Sequence, residues 1–183
     1  MIRFYWYFIS QIYYRLKFKK FGKLSYIGHP LFLYNTKKIK IGNKVRIFPN
    51  SRLEVHGENS LIEIKNNVSI GNNLMITSGS AVIIGVDCII SANVFINSID
   101  INFNDENIEL SKKNTITNPT IIGDNCFIGY GVSILTGTVL GNNCIVGANS
   151  VIKGIFPPNS MIAGNPGKII KYLDLNIKKW VKC

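Results

Sequence analysis

Aliphatic residues recur at every sixth position over most of this chain. They form four uninterrupted runs, in which every position is Ile, Leu or Val: Ile41, Ile47 and Leu53; Ile64, Ile70 and Ile76; Ile84, Ile90 and Ile96; and Ile122, Ile128, Ile134, Leu140, Val146 and Ile152. A six-residue period with an aliphatic anchor is typical of a parallel β-helix, in which stacked coils share one continuous core. The pattern therefore predicts an all-β fold of short strands joined by tight turns.

The six-residue frame shifts after each of the first three runs, at residues 53–64, 76–84 and 96–122. Three strands therefore make one coil, and the pattern predicts a triangular prism of about five coils over residues 41–171. The longest shift contains residues 97–121, which we expect to protrude as a loop from one corner of the prism. Long loops on a rigid scaffold often carry function, so this loop is a candidate for part of a functional site.

Three of the four cysteines occupy core positions of the predicted coils. Cys88, Cys126 and Cys144 stand four residues after an anchor, where Val45 and Val68 stand in the earlier coils. There is no CxxC pair and no nearby histidine, so the spacing indicates small core hydrophobes and predicts neither a disulfide nor a metal site.

Positive charge is concentrated at the N-terminal end of the chain. The formal net charge is +11, although only 17% of the residues are charged. Residues 1–53 hold 12 Lys and Arg and no Asp or Glu, so the rest of the chain is close to neutral. The C-terminal residues 172–183 are again basic, and we expect them to form a short helix or an extension.

The basic N-terminal segment is also aromatic. Tyr5, Trp6, Ile9 and Ile12 follow helical spacing, so residues 1–40 are predicted to be an amphipathic helix and a lead-in to the prism. The helix caps the open end of the prism, lies on an anionic membrane through residues 1–23, or does both. The apolar run is too short to span a bilayer, no signal-peptide cleavage site follows, and no nucleic-acid-binding module accompanies the charge. The expected location is the cytoplasm, at the inner face of the membrane if the helix binds lipid.

Residues 120–171 carry the most specific motif, TIIGDNCFIGYGVSILTGTVLGNNCIVGANSVIKGIFPPNSMIAGNPGKIIK. This stretch resembles the hexapeptide-repeat acyltransferases and is close to the galactoside, maltose and polysaccharide O-acetyltransferases. The resemblance implies a left-handed β-helix, a homotrimer, and acetyl-coenzyme A as co-substrate in a groove between neighbouring prisms. It implies no metal.

The resemblance also implies a set of cofactor-binding residues. Small side chains would let a pantetheine arm lie along the backbone, and lysines would bind the phosphates. The implied set is Gly129, Gly147, Ala148, Lys153, Gly164, Lys168 and Lys171. Taken alone, each lysine reads equally well as a solvated surface charge.

The loop at residues 97–121 departs from the family pattern. The family places a histidine at its start, where it takes the proton from the acceptor hydroxyl, but residues 97–103 contain no histidine. Asp100 is the first candidate for a substitute base, and its other reading is an acid that caps a turn. His56 is the second candidate, because it belongs to the same outward column two coils below, about 10 Å away at the spacing of neighbouring strands. A lone histidine is also commonly structural.

Three functions remain open. The first is an acetyl-coenzyme A-dependent O-acetyltransferase that acts on a sugar of a cell-surface polysaccharide or of its precursor. The second is an N-acyltransferase on an amino sugar, because a partly neutral amine attacks a thioester without a protein base. The third is a catalytically silent trimeric scaffold. The intact cofactor motif favours the O-acetyltransferase.

Overall fold

The structure is a computed structural model that describes residues 2–103, 109 and 114–183. Three sheets form the sides of a prism, and each strand pairs in parallel with the equivalent strand of the next coil. Sheet A contains β1 (Lys20–Phe21), β4 (Ile39–Ile41), β7 (Leu61–Ile64), β10 (Ala81–Ile84), β15 (Thr120–Ile122), β18 (Val139–Leu140) and β21 (Ile155–Phe156). Sheet B contains β2 (Tyr26–Ile27), β5 (Arg46–Ile47), β8 (Ser69–Ile70), β11 (Ile89–Ile90), β16 (Phe127–Ile128), β19 (Ile145–Val146) and β22 (Ser160–Gly164). Sheet C contains β3 (Phe32–Tyr34), β6 (Arg52–Val55), β9 (Met75–Ser78), β12 (Phe95–Asn97), β17 (Ser133–Ile134) and β20 (Val151–Ile152).

The prism has about seven coils, so the predicted number of five was wrong. The first coil is built on Phe21, Ile27 and Leu33, which keep the six-residue frame but begin with an aromatic residue. It pairs with the coil that starts at residue 39, so the stack begins within the residues that were assigned to the lead-in. The last, incomplete coil uses Phe156 and Ile162 after a shift of the frame. We call the N-terminal coils lower and the C-terminal coils upper.

The predicted core is confirmed. All fifteen anchors of the six-residue frame are buried, each with at most 1% of its surface exposed. Val45, Val68 and the three internal cysteines are buried beside them. The thiols of Cys88, Cys126 and Cys144 lie against backbone carbonyl oxygens, and no cysteine among the described residues is in a disulfide. These cysteines therefore fill the core as small apolar residues.

Asparagine side chains form ladders along the corners of the prism. Asn73 and Asn93 both have positive φ, and the amide of the lower residue donates to the carbonyl oxygen of the upper one at 2.8 Å. Asn125, Asn143 and Asn159 repeat this arrangement along the upper coils. Asparagine suits these corners because it tolerates the left-handed conformation and bonds to its own kind in the next coil.

The N-terminal segment caps the lower end of the prism. It consists of α1 (Ile2–Ile9), a π-helical turn (Ser10–Tyr14) and a last turn (Arg15–Lys17). Ser10 accepts the backbone N–H of Ile27, and Gln11 donates to the carbonyl oxygens of Gly22 and Ser25. These side chains bond to backbone groups of the first coil, which has no coil below it, and the capping role is therefore observed directly.

The side of this helical segment that packs on the prism is not the apolar face predicted from the sequence. Trp6 and Ser10 face the prism, whereas Ile12 and Leu16, which belong to the predicted face, are exposed. The sequence could not separate the two sides because apolar residues occur all round the segment. A short 3₁₀ turn (Thr36–Lys38) connects the first two coils.

Two antiparallel features depart from the prism. β13 (Ile99–Ile101) and β14 (Thr115–Thr117) form a ribbon at the base of the predicted loop, whose residues 104–108 and 110–113 lie outside the described part of the chain. At the upper end, β23 (Gly167–Asp174) pairs with β22, and β24 (Lys179–Lys182) pairs with β23. The C-terminal segment is therefore an extension of sheet B, and the helix considered as an alternative was wrong.

Candidate active site

A column of small residues follows the anchors of sheet B in the upper coils. The N–H groups of Ser91, Gly129 and Gly147 donate to the carbonyl oxygens of the next coil at 2.8–2.9 Å, and Ala163 continues the column. Ala148 lies beside this column and is exposed. Small side chains leave a shallow surface along the prism, on which an extended chain could lie close to the backbone.

Gly129 has a packing role within this column. A Cβ atom at this position would lie 2.6 Å from the backbone nitrogen of Ala148, closer than non-bonded atoms approach each other. Gly129 is itself buried, so its visible effect is to let two coils stack. Gly147 is partly exposed, and a Cβ atom there would meet the Ala163 methyl at 3.2 Å. The two glycines are thus constrained to different degrees.

The turn between β22 and β23 closes the upper end of the small-residue column. Gly164 pairs with Gly167, and the intervening Asn165–Pro166 peptide bond is cis. The buried Ser150 hydroxyl accepts the N–H of Gly164 at 3.1 Å and donates to the carbonyl oxygen of Gly147 at 2.7 Å. This hydroxyl fixes the turn against the column.

Two of the predicted phosphate-binding lysines stand at the edge of the same column. The antiparallel register places Lys168 opposite Ala163 and Lys171 opposite Met161. Both partners face outward on either side of the buried anchor Ile162. Directly opposed residues share one face of a sheet, and the register shift between Met161 and Ile162 brings both lysines onto the outer face, which also carries the small residues.

The third predicted lysine contacts the first predicted base. Lys153 Nζ lies 3.7 Å from Asp100 Oδ2, and both side chains are about half exposed. The other carboxylate oxygen of Asp100 accepts the N–H of Ile101. An exposed pair at this distance is weak, but it joins the ribbon to the upper end of sheet C and brings two predicted site residues together.

The second predicted base, His56, is two coils below the ribbon. Its N–H donates to the carbonyl oxygen of Ser78, which places Gly79 between His56 and Ile99 in the outward column. A Cβ atom at Gly79 would lie 2.8 Å from Cβ of Ile99 and 2.9 Å from Cγ2 of Thr117. Because Gly79 has no side chain, the ribbon packs down over it toward the coil that holds His56.

His56 is oriented by a buried carboxylate. Its Nε2 lies 3.0 Å from Oε2 of Glu54, and the second oxygen of Glu54 accepts a hydrogen bond from Arg52. The Tyr34 ring packs against the imidazole with centroids 5.3 Å apart. Glu54 is only 7% exposed, whereas the His56 side chain is 43% exposed. The carboxylate therefore holds the ring from beneath while the ring remains accessible.

The charge state of Glu54 follows from its partners. Burial alone would raise the pKa of this carboxyl, but the hydrogen bonds and charges of Arg52 and His56 outweigh burial and hold the pKa below its ordinary value. Glu54 is thus a carboxylate near neutral pH. Because Nε2 is hydrogen-bonded to this carboxylate, Nδ1 is the imidazole nitrogen left to accept a proton. This is the arrangement of a general base that is oriented by a carboxylate.

The sequence analysis missed Glu54, Arg52 and Tyr34. The sequence did contain a signal for the first two. Arg52, Glu54 and His56 alternate with the buried Leu53 and Val55, and alternate residues of a strand share one face. Tyr34 comes from the first coil, which the aliphatic frame did not include. The predicted residues therefore lie in three places: Lys168 and Lys171 are beside the small-residue column, Lys153 contacts Asp100 at the ribbon, and His56 is two coils below.

Two further properties concern only the described residues. Among residues 2–103, 109 and 114–183, no group of three His, Cys, Asp or Glu side chains could hold a metal ion. Over the same residues, no helix is long and apolar enough to cross a bilayer.

Comparison with known proteins identifies the family. Residues 119–154 match the bacterial transferase hexapeptide repeat, and residues 78–98 match the hexapeptide repeat of succinyl-transferase. The chain is 31% identical over 163 residues to WbbJ of Escherichia coli strain K12, a protein named for O-acetyl transfer in lipopolysaccharide biosynthesis. The match covers 85% of this chain and 83% of WbbJ. The chain belongs to the bacterial hexapeptide-repeat transferases, and the predicted acyltransferase class is confirmed.

Solved structures support the fold. The N-acyltransferase AntD from Bacillus cereus, solved with dTDP and 3-hydroxybutyryl-coenzyme A, superposes with a TM-score of 0.78 at 23% identity, covering 92% of this chain and 90% of AntD. A galactoside acetyltransferase in complex with coenzyme A gives a TM-score of 0.66 at 24% identity, covering 90% of this chain and 70% of that chain. At these identities the similarity shows a common fold.

Proposed function

We propose that the protein is an acetyl-coenzyme A-dependent O-acetyltransferase that acts on a sugar of a cell-surface polysaccharide or of its precursor. The observation that carries the choice of a hydroxyl acceptor is the His56–Glu54 pair. A sugar hydroxyl is a weak acid and needs a base to attack a thioester, and an imidazole held by a buried carboxylate is such a base. Similarity to WbbJ supports a polysaccharide acceptor.

The proposed cofactor site is the upper part of the prism. Its lysines, Lys153, Lys168 and Lys171, would bind the phosphates of acetyl-coenzyme A, and its small residues would contact the pantetheine arm. The residues available for this contact are Gly147, Ala148 and Gly164, and the buried Gly129 lets the coils stack beneath them. Coenzyme A in the galactoside acetyltransferase structure and an acyl derivative of it in AntD support this assignment.

In the proposed reaction, Nδ1 of His56 accepts the proton of the acceptor hydroxyl as its oxygen attacks the carbonyl carbon of the thioester. A carbon–oxygen bond forms and the carbon–sulfur bond breaks. The imidazolium ion returns the proton to the departing sulfur, so the products are the thiol of coenzyme A and a sugar ester. Glu54 stabilises the imidazolium ion through the hydrogen bond to Nε2. Asp100 is the other candidate base, and its contact with Lys153 also suits it to position the ribbon.

Assembly into a trimer is part of the proposal. Ile89 and Phe127 are paired in register on the outer side of sheet B, and both are substantially exposed in the single chain. An adjoining prism would bury this apolar column and could bring His56 of one prism to the cofactor groove of the next. Sedimentation velocity should give three chains per particle, and a monomer would contradict this part of the proposal.

Contact with the cytoplasmic face of a membrane is also proposed. Four exposed apolar residues follow one side of the helical segment: Phe4, Phe8, Ile12 and Leu16. They belong to residues 1–53, which carry 12 Lys and Arg and no acid. Aromatic and aliphatic side chains beside lysines suit an anionic bilayer. We expect Phe8→Glu to reduce flotation with anionic vesicles. Leu175→Glu is the matched control at the opposite end, and an equal loss in both variants would contradict this contact.

The acceptor class is tested by measuring coenzyme A release with nucleotide-linked sugars that offer either hydroxyl groups only or an additional amino group. We expect turnover with the hydroxyl sugars. Turnover confined to the amino sugars would replace the proposal with an N-acyltransferase, which the missing loop histidine and the fold shared with AntD favour as the second candidate. Absence of turnover together with absence of coenzyme A binding would indicate a scaffold.

A further inference from the structure

A cavity of about 470 Å³ lies between the N-terminal helical segment and the lower coils of sheet B. It is lined by Phe4, Tyr7, Leu24, Tyr26, Lys44 and Arg46. None of these residues belongs to the proposed acetyl-transfer site. Phe4 and Leu24 are exposed, so the cavity is an open groove, and its volume is sufficient for one hydrocarbon chain to lie along it.

A cluster of aromatic rings packs behind the apolar wall of the cavity. Trp6 packs its ring against Tyr26 and Phe48, with centroids 6.1 Å and 6.4 Å away. The rings of Tyr26 and Phe48 also contact each other at 6.2 Å. This aromatic cluster fixes the helical segment on the prism, so the cavity has one wall from each.

The tyrosine in that wall has an unpaired hydroxyl. Tyr26 is 7% exposed, and its Oη has no hydrogen-bond partner among the described residues. Burying a polar group without a partner is unfavourable, which is a reason to expect a partner from outside the chain. Because the Oη atom has almost no accessible surface, a ligand could reach it only after the Tyr26 ring turned toward the cavity.

The opposite side of the cavity is cationic. Lys44 is exposed and Arg46 is partly exposed, and neither takes part in the ion pairs found among the described residues. Residues 1–53 contain no Asp or Glu, so the surrounding sequence offers no counter-charge. An arginine and a lysine next to an apolar slot suit an anionic group attached to a hydrocarbon chain.

We infer that this cavity binds one lipid molecule with a phosphate head. The hydrocarbon chain would lie among Phe4, Tyr7 and Leu24, and the phosphate would contact Lys44 and Arg46. This site goes beyond general adhesion of the helix to a charged surface, because it takes a single molecule between two elements of the fold. It does not depend on the acetyl-transfer chemistry.

The test uses decyl phosphate below its micellar concentration and titrates it against the full-length protein, with calorimetry and Trp6 fluorescence as readouts. We expect saturable binding of one molecule per chain. Decyl maltoside, which has the same chain and no charge, and inorganic phosphate, which has no chain, should each bind at least about tenfold more weakly because each lacks one half of the interaction.

Matched variants separate the cavity from general electrostatics. Arg46→Gln should weaken binding of decyl phosphate about tenfold, as expected for loss of a charge-assisted contact. Arg15→Gln removes the same charge from a residue that does not line the cavity, and it should leave binding unchanged. Lys44→Gln serves as the second cavity variant if Arg46→Gln lowers the melting temperature.

Three results would overturn the inference. Equal losses in Arg46→Gln and Arg15→Gln would mean that only the surface potential attracts the probe. Equal affinity for inorganic phosphate would indicate a simple anion site, and equal affinity for decyl maltoside would indicate an apolar slot without head-group recognition. Each result would leave the proposed acetyl transfer unaffected, since activity toward soluble sugars is measured separately.

Discussion

The upper and lower coils have the same architecture but carry different kinds of chemistry. In the upper coils, the surface beside sheet B is made of glycine and alanine, and the charges stand at its edge on β23. In the lower coils, Tyr34, Arg52, Glu54 and His56 form a connected cluster on sheet C. The upper site thus depends on small side chains along the backbone, whereas the lower site depends on hydrogen bonds between large side chains. Mutations should therefore act differently in the two regions.

The largest expected effect is in the lower region. His56→Asn should reduce turnover at least about 10²-fold, because it removes the proposed base, while cofactor affinity stays nearly unchanged. Single-turnover kinetics and calorimetry measure the two quantities. Asp100→Asn is the comparison variant, and we expect a smaller effect from it. If Asp100→Asn abolishes turnover and His56→Asn does not, the base belongs to the ribbon.

Glu54 should behave as a positioning residue for His56. Glu54→Gln keeps the size of the side chain but loses the charge that stabilises the imidazolium ion, so turnover should fall by about tenfold or more. The loss should fall on kcat, and Glu54→Asp, which keeps the charge, should restore part of the turnover. Equal losses in Glu54→Gln and Glu54→Asp would indicate that Glu54 only stabilises the fold.

The upper region should respond through binding. Lys168→Glu should weaken acetyl-coenzyme A binding by about 1–3 kcal/mol, because a charge-assisted contact is replaced by repulsion. Lys178→Glu makes the same change in the C-terminal extension, away from β22, and should have little effect. Calorimetry that shows equal affinity for the wild type and Lys168→Glu would remove Lys168 from the cofactor site.

A larger side chain should destabilise the small-residue column more at Gly129 than at Gly147. Gly129→Ala should destabilise the protein by about 1–3 kcal/mol, because the new methyl group overlaps the backbone of the next coil. Gly147→Ala, whose methyl group would meet only the Ala163 side chain, should cost less. Denaturant unfolding measures both variants. Equal destabilisation would show that the two glycines do not differ in packing.

The smallest expected effect concerns acid stability. The pKa of Glu54 is lowered in the folded protein, so its contribution is present above the ordinary carboxyl pKa and is lost as the pH falls through the folded value. The wild type should therefore lose more stability than Glu54→Gln as the pH falls from 6 to about 3. An equal fall in melting temperature for both proteins over this pH range would contradict the role given to Glu54.

The contrast between the two regions also explains what the sequence could predict. The core depends on a short local pattern, so the aliphatic frame identified it. The upper site is likewise predicted from a local motif, at residues 120–171. The partners of His56 come from register between coils, and Tyr34 lies in a coil that begins with Phe21 instead of an aliphatic anchor. The side of the N-terminal segment that packs on the prism was also unpredictable. It is fixed by hydrogen bonds from Ser10 and Gln11 to the first coil, and an apolar pattern does not report polar contacts of this kind.

The central claim is that an acetyl group is transferred from acetyl-coenzyme A to a sugar hydroxyl. Mass spectrometry of the sugar product, before and after mild alkaline treatment, tests this claim most directly. We predict a product that gains one acetyl group and loses it in alkali, as an ester does, and that is formed much more slowly by His56→Asn. An acetyl group that survives the alkaline treatment on an amino sugar would contradict the claim and identify amide formation instead.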